Sequence, residues 1–222
     1  MTQKTALVLG ATGVVGTELV KILIATKTYQ TINLITRRPI DITDQTIKQH
    51  VIEFDQLHNY GDVFQVHDVF ICLGTTIKAA KTKAAFRKVD YEYVVEATKL
   101  AKQAESEKVL LITATGANPK AHAFYSRVKG EVEETLKGMQ LNSLHIFQPS
   151  LLLGDRKEFR LGEAVMGKAS KLLTKIMIGP LRPYRPIEAK IVASAMAKTA
   201  QTNTQGIYVY PSYQIERIAS NQ

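Results

Sequence analysis

The chain has 222 residues, 45% hydrophobic and 22% charged, with 29 Lys and Arg against 20 Asp and Glu and a formal net charge of +9. That length suits one domain with a large buried core, and the composition is that of a soluble globular protein. A single cysteine, Cys72, excludes an intramolecular disulfide, and no run approaches the ~18 apolar residues of a membrane helix. With an N terminus that reads as a strand rather than a leader, these features predict a cytoplasmic protein and no membrane partner. The basic excess is scattered over helices, as at Lys78, Lys81, Lys83, Lys88, Lys99 and Lys102, with no interleaved aromatic platform. Nucleic acid is therefore not an expected partner; a polyanionic cofactor and solvated helix faces account for the charge.

The chain opens with an apolar run at 5–9, the turn Gly10-Ala11-Thr12-Gly13-Val14-Val15-Gly16, and an amphipathic stretch at 14–25. Strand, glycine turn and helix in that order make a site for a dinucleotide pyrophosphate. Gly10 permits the sharp turn, Gly13 the approach of backbone N–H groups to phosphate, and Gly16 the close packing of helix on strand. The free N–H groups and positive dipole end of the helix then face the anion. The candidate pyrophosphate residues are Gly10, Thr12, Gly13, Val14, Val15 and Gly16, although GxxGxxG departs from the usual GxGxxG.

The second strand, 31–35, runs into Thr36-Arg37-Arg38-Pro39. A site for NAD(H) wants a carboxylate near here for the ribose 2′-hydroxyl; two guanidiniums suit a 2′-phosphate instead. Arg37 and Arg38 thus predict a preference for NADP(H) over NAD(H). Further strands are expected at 51–54, 69–73, 109–113, 144–147 and 207–210, and helices at 82–104, 125–137 and 188–199. Short apolar runs alternating with helices predict a parallel sheet buried on both faces.

The fifth strand ends in Thr113-Ala114-Thr115, whose two hydroxyls share one side of an extended chain and could anchor a substrate oxygen. Beyond it lies Tyr125-Ser126-Arg127-Val128-Lys129, with phenol and ammonium one helical turn apart. A free phenol, with a pKa of about 10, is a poor proton-transfer group at neutral pH, and a neighbouring Lys⁺ favours phenolate. Tyr125 and Lys129 with Thr113 or Thr115 are the candidate catalytic residues. The stretch 149–186 is the least regular and is expected to cover a substrate.

The glycine turn, Leu73-Gly74-Thr75-Thr76, Tyr125-x-x-x-Lys129-Gly130-Glu131-Val132-Glu133 and Pro149-Ser150-Leu151-Leu152-Leu153-Gly154-Asp155-Arg156 together resemble the atypical short-chain dehydrogenase/reductases, in particular the branch of Tat-interacting-protein-like oxidoreductases. The resemblance runs over nearly the whole chain, and its Lys-Gly-Glu-Val-Glu and Leu-Gly-Asp-Arg runs are its more specific motifs. It implies Tyr125 as catalytic acid/base, Lys129 as its tuner and a ligand of the nicotinamide ribose, and a residue of 113–115 in place of the family's serine. It also implies that Leu73, Gly74 and Thr75 line the cofactor, that Asp55 meets adenine, and that the segment of Pro149 and Leu151 faces the nicotinamide carboxamide. Two positions depart from the family: threonine replaces the serine, with Ala114 at the middle position, and Gln148 stands where many relatives carry arginine.

Five scattered histidines and one cysteine offer no metal-ligand spacing, so no metal is expected. Arg156, Lys157, Arg160, Arg182 and Arg185 crowd the 149–186 segment and read as exposed loop charges, with recognition of an anionic substrate as the alternative; Cys72 reads as a small hydrophobe, and Tyr91 and Tyr93 as packing residues. The fold expected is α/β with a doubly wound parallel sheet, an NAD(P)-binding Rossmann-like single domain over 1–222 with a short C-terminal substrate lid. The function expected is an NADP(H)-binding oxidoreductase moving hydride to or from an unidentified small carbonyl or alcohol. The rival reading is an NADP(H)-sensing regulatory module with little catalysis. An epimerase or dehydratase ranks low, because 222 residues leave little room for a sugar-nucleotide domain. The chain is expected as a monomer or as a homodimer formed through 82–104 and 125–137.

Overall fold

A computed structural model describes residues 4–153 and 185–220. Its strands are β1 (Lys4–Leu9), β2 (Tyr29–Thr36), β3 (Ile47–Val51), β4 (Asp68–Ile71), β5 (Lys108–Ile112), β6 (Ser143–Gln148), β7 (Leu152–Leu153), β8 (Ile187–Glu188) and β9 (Gly206–Pro211). Seven form one sheet in the order β3-β2-β1-β4-β5-β6-β9, every neighbouring pair parallel. The chain winds outward from β1 through β2 to β3, then crosses to β4 on the other side of β1. That reversal leaves a crevice above the carboxyl ends of β1 and β4, where ligands of such sheets bind. This is the doubly wound, single-domain Rossmann-like fold.

Alternation along the strands supplies two cores. Ala6, Val8, Phe70 and Leu110 face α1 (Val14–Thr26), and Leu7, Leu9, Ile71 and Leu111 face the opposite layer. On that second face lie a 3₁₀ segment (Phe54–Phe64), the short α2 (Ile77–Ala80) and α3 (Lys83–Arg87), a π-turn (Lys88–Glu92), α4 (Tyr93–Gln103) and α5 (Phe124–Lys137). The first face is completed by α6 (Ala189–Ala200) and α7 (Ser212–Ser220), through Val192, Met196 and Ile215. No helix among the described residues is long and apolar enough to cross a membrane.

Three elements differ from the sequence expectation. The third strand lies at Ile47–Val51, and the apolar residues after it, Ile52, Phe54 and Leu57, are buried by the 3₁₀ segment instead. The single helix expected at 82–104 is broken by the π-turn, where the Tyr93 N–H donates to the Lys88 carbonyl five residues back. Helix α7 was not foreseen. Residues 154–184 lie outside the described residues, and with them most of the expected lid, including Arg156, Lys157, Arg160 and Arg182. The flanks of that stretch are joined: Leu152 pairs with Ile187 and Leu153 with Glu188, and the Ile187 N–H donates to the Leu151 carbonyl at 3.0 Å.

The far edge of the sheet holds a buried histidine. His145 on β6 lies between hydroxyls, with Nε2 2.8 Å from Ser143 Oγ and Nδ1 2.9 Å from Tyr210 Oη on β9. Burial, helped by the Lys108 charge, pulls its pKa down from 6.5 to about 4. The folded state then binds fewer protons than the unfolded state between these values. The stability contribution is complete above pH 6.5 and is lost as pH falls towards 4, at most roughly 3 kcal/mol. Thermal melts across this window should show the decline, and His145→Gln should flatten it; an unchanged slope would place its origin elsewhere.

Candidate active site

The glycine turn sits over the crevice between β1 and β4. Gly10 has φ +85°, and a Cβ there would lie 2.5 Å from the Cys72 carbonyl oxygen at the end of β4. A Cβ on Gly16 would lie 2.1 Å from the Gly10 oxygen, so the first turn of α1 packs directly on the loop that precedes it. The Gly13 N–H donates to the Gly10 carbonyl at 3.0 Å, and α1 starts at Val14 with no side chain capping it. Its first-turn N–H groups therefore lack intrahelical acceptors and open beside the exposed Thr12 and Gly13. An anion fits this cradle, and a side chain at Gly16 does not. Gly16→Ala should cost roughly 1–3 kcal/mol or more and abolish dinucleotide binding, checked by thermal melts and NAD titration. A wild-type melting temperature would refute the close packing.

At the end of β2, Arg37 and Arg38 are exposed, and neither forms an ion pair among the described residues. Asp55, exposed on the 3₁₀ segment, is already engaged. Lys88 Nζ lies 2.7 Å from Oδ1 and donates to Oδ2 at 2.8 Å, while the Tyr93 hydroxyl donates to Oδ1 at 2.6 Å. These bonds hold its carboxyl below the usual carboxylate range. The Asp55 carboxylate is thus oriented by Lys88 of the π-turn and Tyr93, the first residue of α4. Tyr93, expected only to pack, orients this carboxylate.

Lys129 is 4% exposed, one helical turn beyond Tyr125 on α5. Its Nζ lies 2.7 Å from Asp90 Oδ1, and Asp90, 1% exposed, sits in the π-turn. The other carboxylate oxygen, Oδ2, accepts from the Thr75 backbone N–H at 2.9 Å. Asp90 thus joins the β4 exit loop to α5. Gly74 completes the arrangement: a Cβ there would reach to 3.4 Å from Asp90 Oδ1 and 3.7 Å from Lys129 Nζ. Sequence reasoning missed Asp90. The signal was a lone acid on the otherwise apolar stripe Phe86, Asp90, Val94, Ala97 and Ala101.

Tyr125 itself is 37% exposed, its ring 5.6 Å from that of Phe86 on α3. The two threonines do not share one environment. Thr113 is buried and its hydroxyl donates to Glu133 Oε1 at 2.6 Å, whereas Thr115 is half-buried and donates to the Gln148 carbonyl at 3.0 Å. Glu133 also accepts from Gln148 Nε2, 3.0 Å from each oxygen. Burial raises the Glu133 pKa against the pull of these hydrogen bonds. Gln148 therefore occupies the place from which an arginine would pair with Glu133. Pro149 is buried and accepts the Thr115 N–H at 2.9 Å, and Leu151 is exposed. Leu73 packs on the second core.

No family model matches the chain. Protein HTATIP2 of Rattus norvegicus is 35% identical over 167 residues, covering 73% of this chain and 69% of that protein. Protein FMP52, mitochondrial, of Candida albicans is 28% identical over 205 residues, covering 90% and 89% of the two chains. Among solved structures, MoeE5 in complex with UDP-glucuronic acid and NAD superposes with a TM-score of 0.71 at 15% identity, covering 92% of this chain and 75% of that one. The UDP-glucose 4-epimerase of Thermus thermophilus in complex with NAD gives 0.69 at 13% identity, covering 97% and 81%.

Two expectations are overturned by these relatives. Where the solved neighbours are named with a dinucleotide it is NAD, so the preference for NADP(H) read from Arg37 and Arg38 does not stand. Its physical weakness is visible in the structure, where both guanidiniums are solvated and no partner among the described residues orients them toward a phosphate. The cytoplasmic assignment falls as well, because the fungal relatives are mitochondrial by name. A lone reduced cysteine suits any reducing compartment and does not single out the cytosol. The shared identity with HTATIP2 and the Rossmann-like architecture place the chain in the HTATIP2/FMP52 family, within the atypical short-chain dehydrogenase/reductases.

Proposed function

We propose that this chain is an NAD-linked oxidoreductase acting on a small carbonyl or alcohol. The observation that carries the reading is Lys129, held by Asp90 inside the protein and one helical turn from the half-exposed phenol of Tyr125. NAD supplies or accepts the hydride when bound. Gly10, Thr12, Gly13, Val14, Val15 and Gly16 would hold its pyrophosphate, Asp55 its adenine end, and Leu73, Gly74 and Thr75 its length across β4. Lys129 would hold the nicotinamide ribose, and Pro149 and Leu151 would border the carboxamide.

The remaining chemistry belongs to this chain. Tyr125 Oη gives a proton to the substrate oxygen in reduction and takes it back in oxidation. Thr115 is the better oxygen anchor, because the Thr113 hydroxyl is committed to Glu133 within the core. As placed, Thr115 donates to the Gln148 carbonyl, so anchoring a substrate oxygen requires its O–H to turn from that carbonyl to the substrate. The chain works as one domain.

NAD titration by calorimetry, followed by NADH consumption over a panel of aldehydes and ketones, tests this reading. Binding with turnover supports it. Binding without turnover of any carbonyl favours the dinucleotide-sensing alternative, and absence of binding overturns both.

A further inference from the structure

We infer that the substrate of this site carries an anionic group, a carboxylate or a phosphate, at the end away from the reacting carbon. The inference rests on the oxidoreductase reading and names the class of molecule it would take. Two segments flank Tyr125: residues 74–89 after β4 and 113–130 after β5. Neither contains a single Asp or Glu, while together they carry Lys78, Lys81, Lys83, Arg87, Lys88, Lys120, Arg127 and Lys129.

The ion pairs remove some of these from consideration. Arg87 is held by Glu131, Lys88 by Asp55 and Lys129 by Asp90, and Arg127 donates to the Ala121 and His122 carbonyls. Lys78, Lys81, Lys83 and Lys120 remain, all exposed and without an ion pair among the described residues. Some helix-face lysines elsewhere have acids beside them, as in Lys21–Glu18, Lys99–Glu96 and Lys137–Glu134. The amino ends of the central strands are acidic in part, where Asp68 and Glu107 draw Lys4 and Asp68 also draws Lys108. Among the described residues, these four lysines thus lie in acid-free stretches beside Tyr125, although cations without an ion pair also occur elsewhere, at Arg37, Arg38 and Lys102.

Aromatic contacts tie this charge to the phenol. Lys83 Nζ lies 5.5 Å from the centre of the Phe124 ring. Phe86 packs against both Phe124, at 5.7 Å, and Tyr125, at 5.6 Å. Lysines of one sign beside an apolar wall focus their field into the cleft and raise the local concentration of an anion. A ligand anion supplies the counter-charge that the described residues around these lysines do not.

The test compares 4-carboxybenzaldehyde, 4-formylphenyl phosphate and neutral methyl 4-formylbenzoate as substrates with NADH. We expect kcat/KM for at least one anion to exceed that of the ester by tenfold or more at low salt. The ratio should shrink as ionic strength rises and fall towards one in Lys78→Gln/Lys81→Gln/Lys83→Gln; the two anions tell carboxylate from phosphate. Equal values for all three compounds overturn the inference while leaving the oxidoreductase reading intact. If no aldehyde is turned over, that reading fails, and binding of benzoate, phenyl phosphate and benzyl alcohol to the NAD-loaded protein is followed by NMR. Preferential anion binding that weakens in the lysine variant then supports an anion site, and its absence overturns it.

Discussion

Tyr125→Phe lowers turnover by about 10²–10⁴-fold and leaves the fold and NAD affinity unchanged. The expectation follows from where the hydroxyl sits. The ring is 37% exposed and keeps its packing on Phe86 in the variant, and among the described residues the hydroxyl makes no hydrogen bond. Removing it therefore leaves no buried partner unsatisfied, and stability should change by no more than about 0.5 kcal/mol. What is lost is the only atom at this position that transfers a proton. Turnover within threefold of wild type would show that Tyr125 is not the proton donor; a large loss of melting temperature would show that the phenol has a structural partner. Both are read from one purified variant.

The second large effect belongs to Asp90. Asp90→Ala strands the Lys129 ammonium in a buried site and leaves the Thr75 N–H without its acceptor. Breaking a buried pair from one side costs about 3–5 kcal/mol, so this variant should melt far below wild type. Asp90→Asn keeps an acceptor for Thr75 and should recover roughly 1–3 kcal/mol of the loss. The double variant Asp90→Leu/Lys129→Met removes both charges and should regain most of the stability, since an apolar pair often replaces a buried ion pair at little cost. Turnover should not return with it. That split distinguishes an ion pair kept for positioning from one kept for stability. Recovered turnover in the double variant would remove Lys129 from the proposed chemistry.

The sequence was most informative where the determinants are local. Apolar runs such as 5–9 and 109–113 are buried on both faces of the sheet, so each was visible as a continuous stretch, and the glycine turn and the Tyr125–Lys129 spacing are short-range patterns. Ile52 and Phe54 misplaced the third strand because a short apolar run does not reveal whether it is buried by a strand or by a 3₁₀ turn. The helix expected at 82–104 concealed the π-turn, since one surplus residue barely disturbs an apolar stripe. Asp90 escaped notice because its partners, Thr75 and Lys129, come from distant parts of the chain. The arginines after β2 misled for a different reason: residue type suggests what a side chain could bind, but not whether anything holds it in place.

The π-turn has a consequence for engineering. Deleting Val89 would let residues 83–103 run as one regular helix, and each α-helical residue advances about 100° around the axis. Arg87 and Lys88 would then rotate relative to α4, away from Glu131 and Asp55, which they now hold. A redesign guided by helix regularity alone would count this as an improvement. In this segment helix regularity and site geometry pull in opposite directions, and the irregular residue is the one to leave untouched.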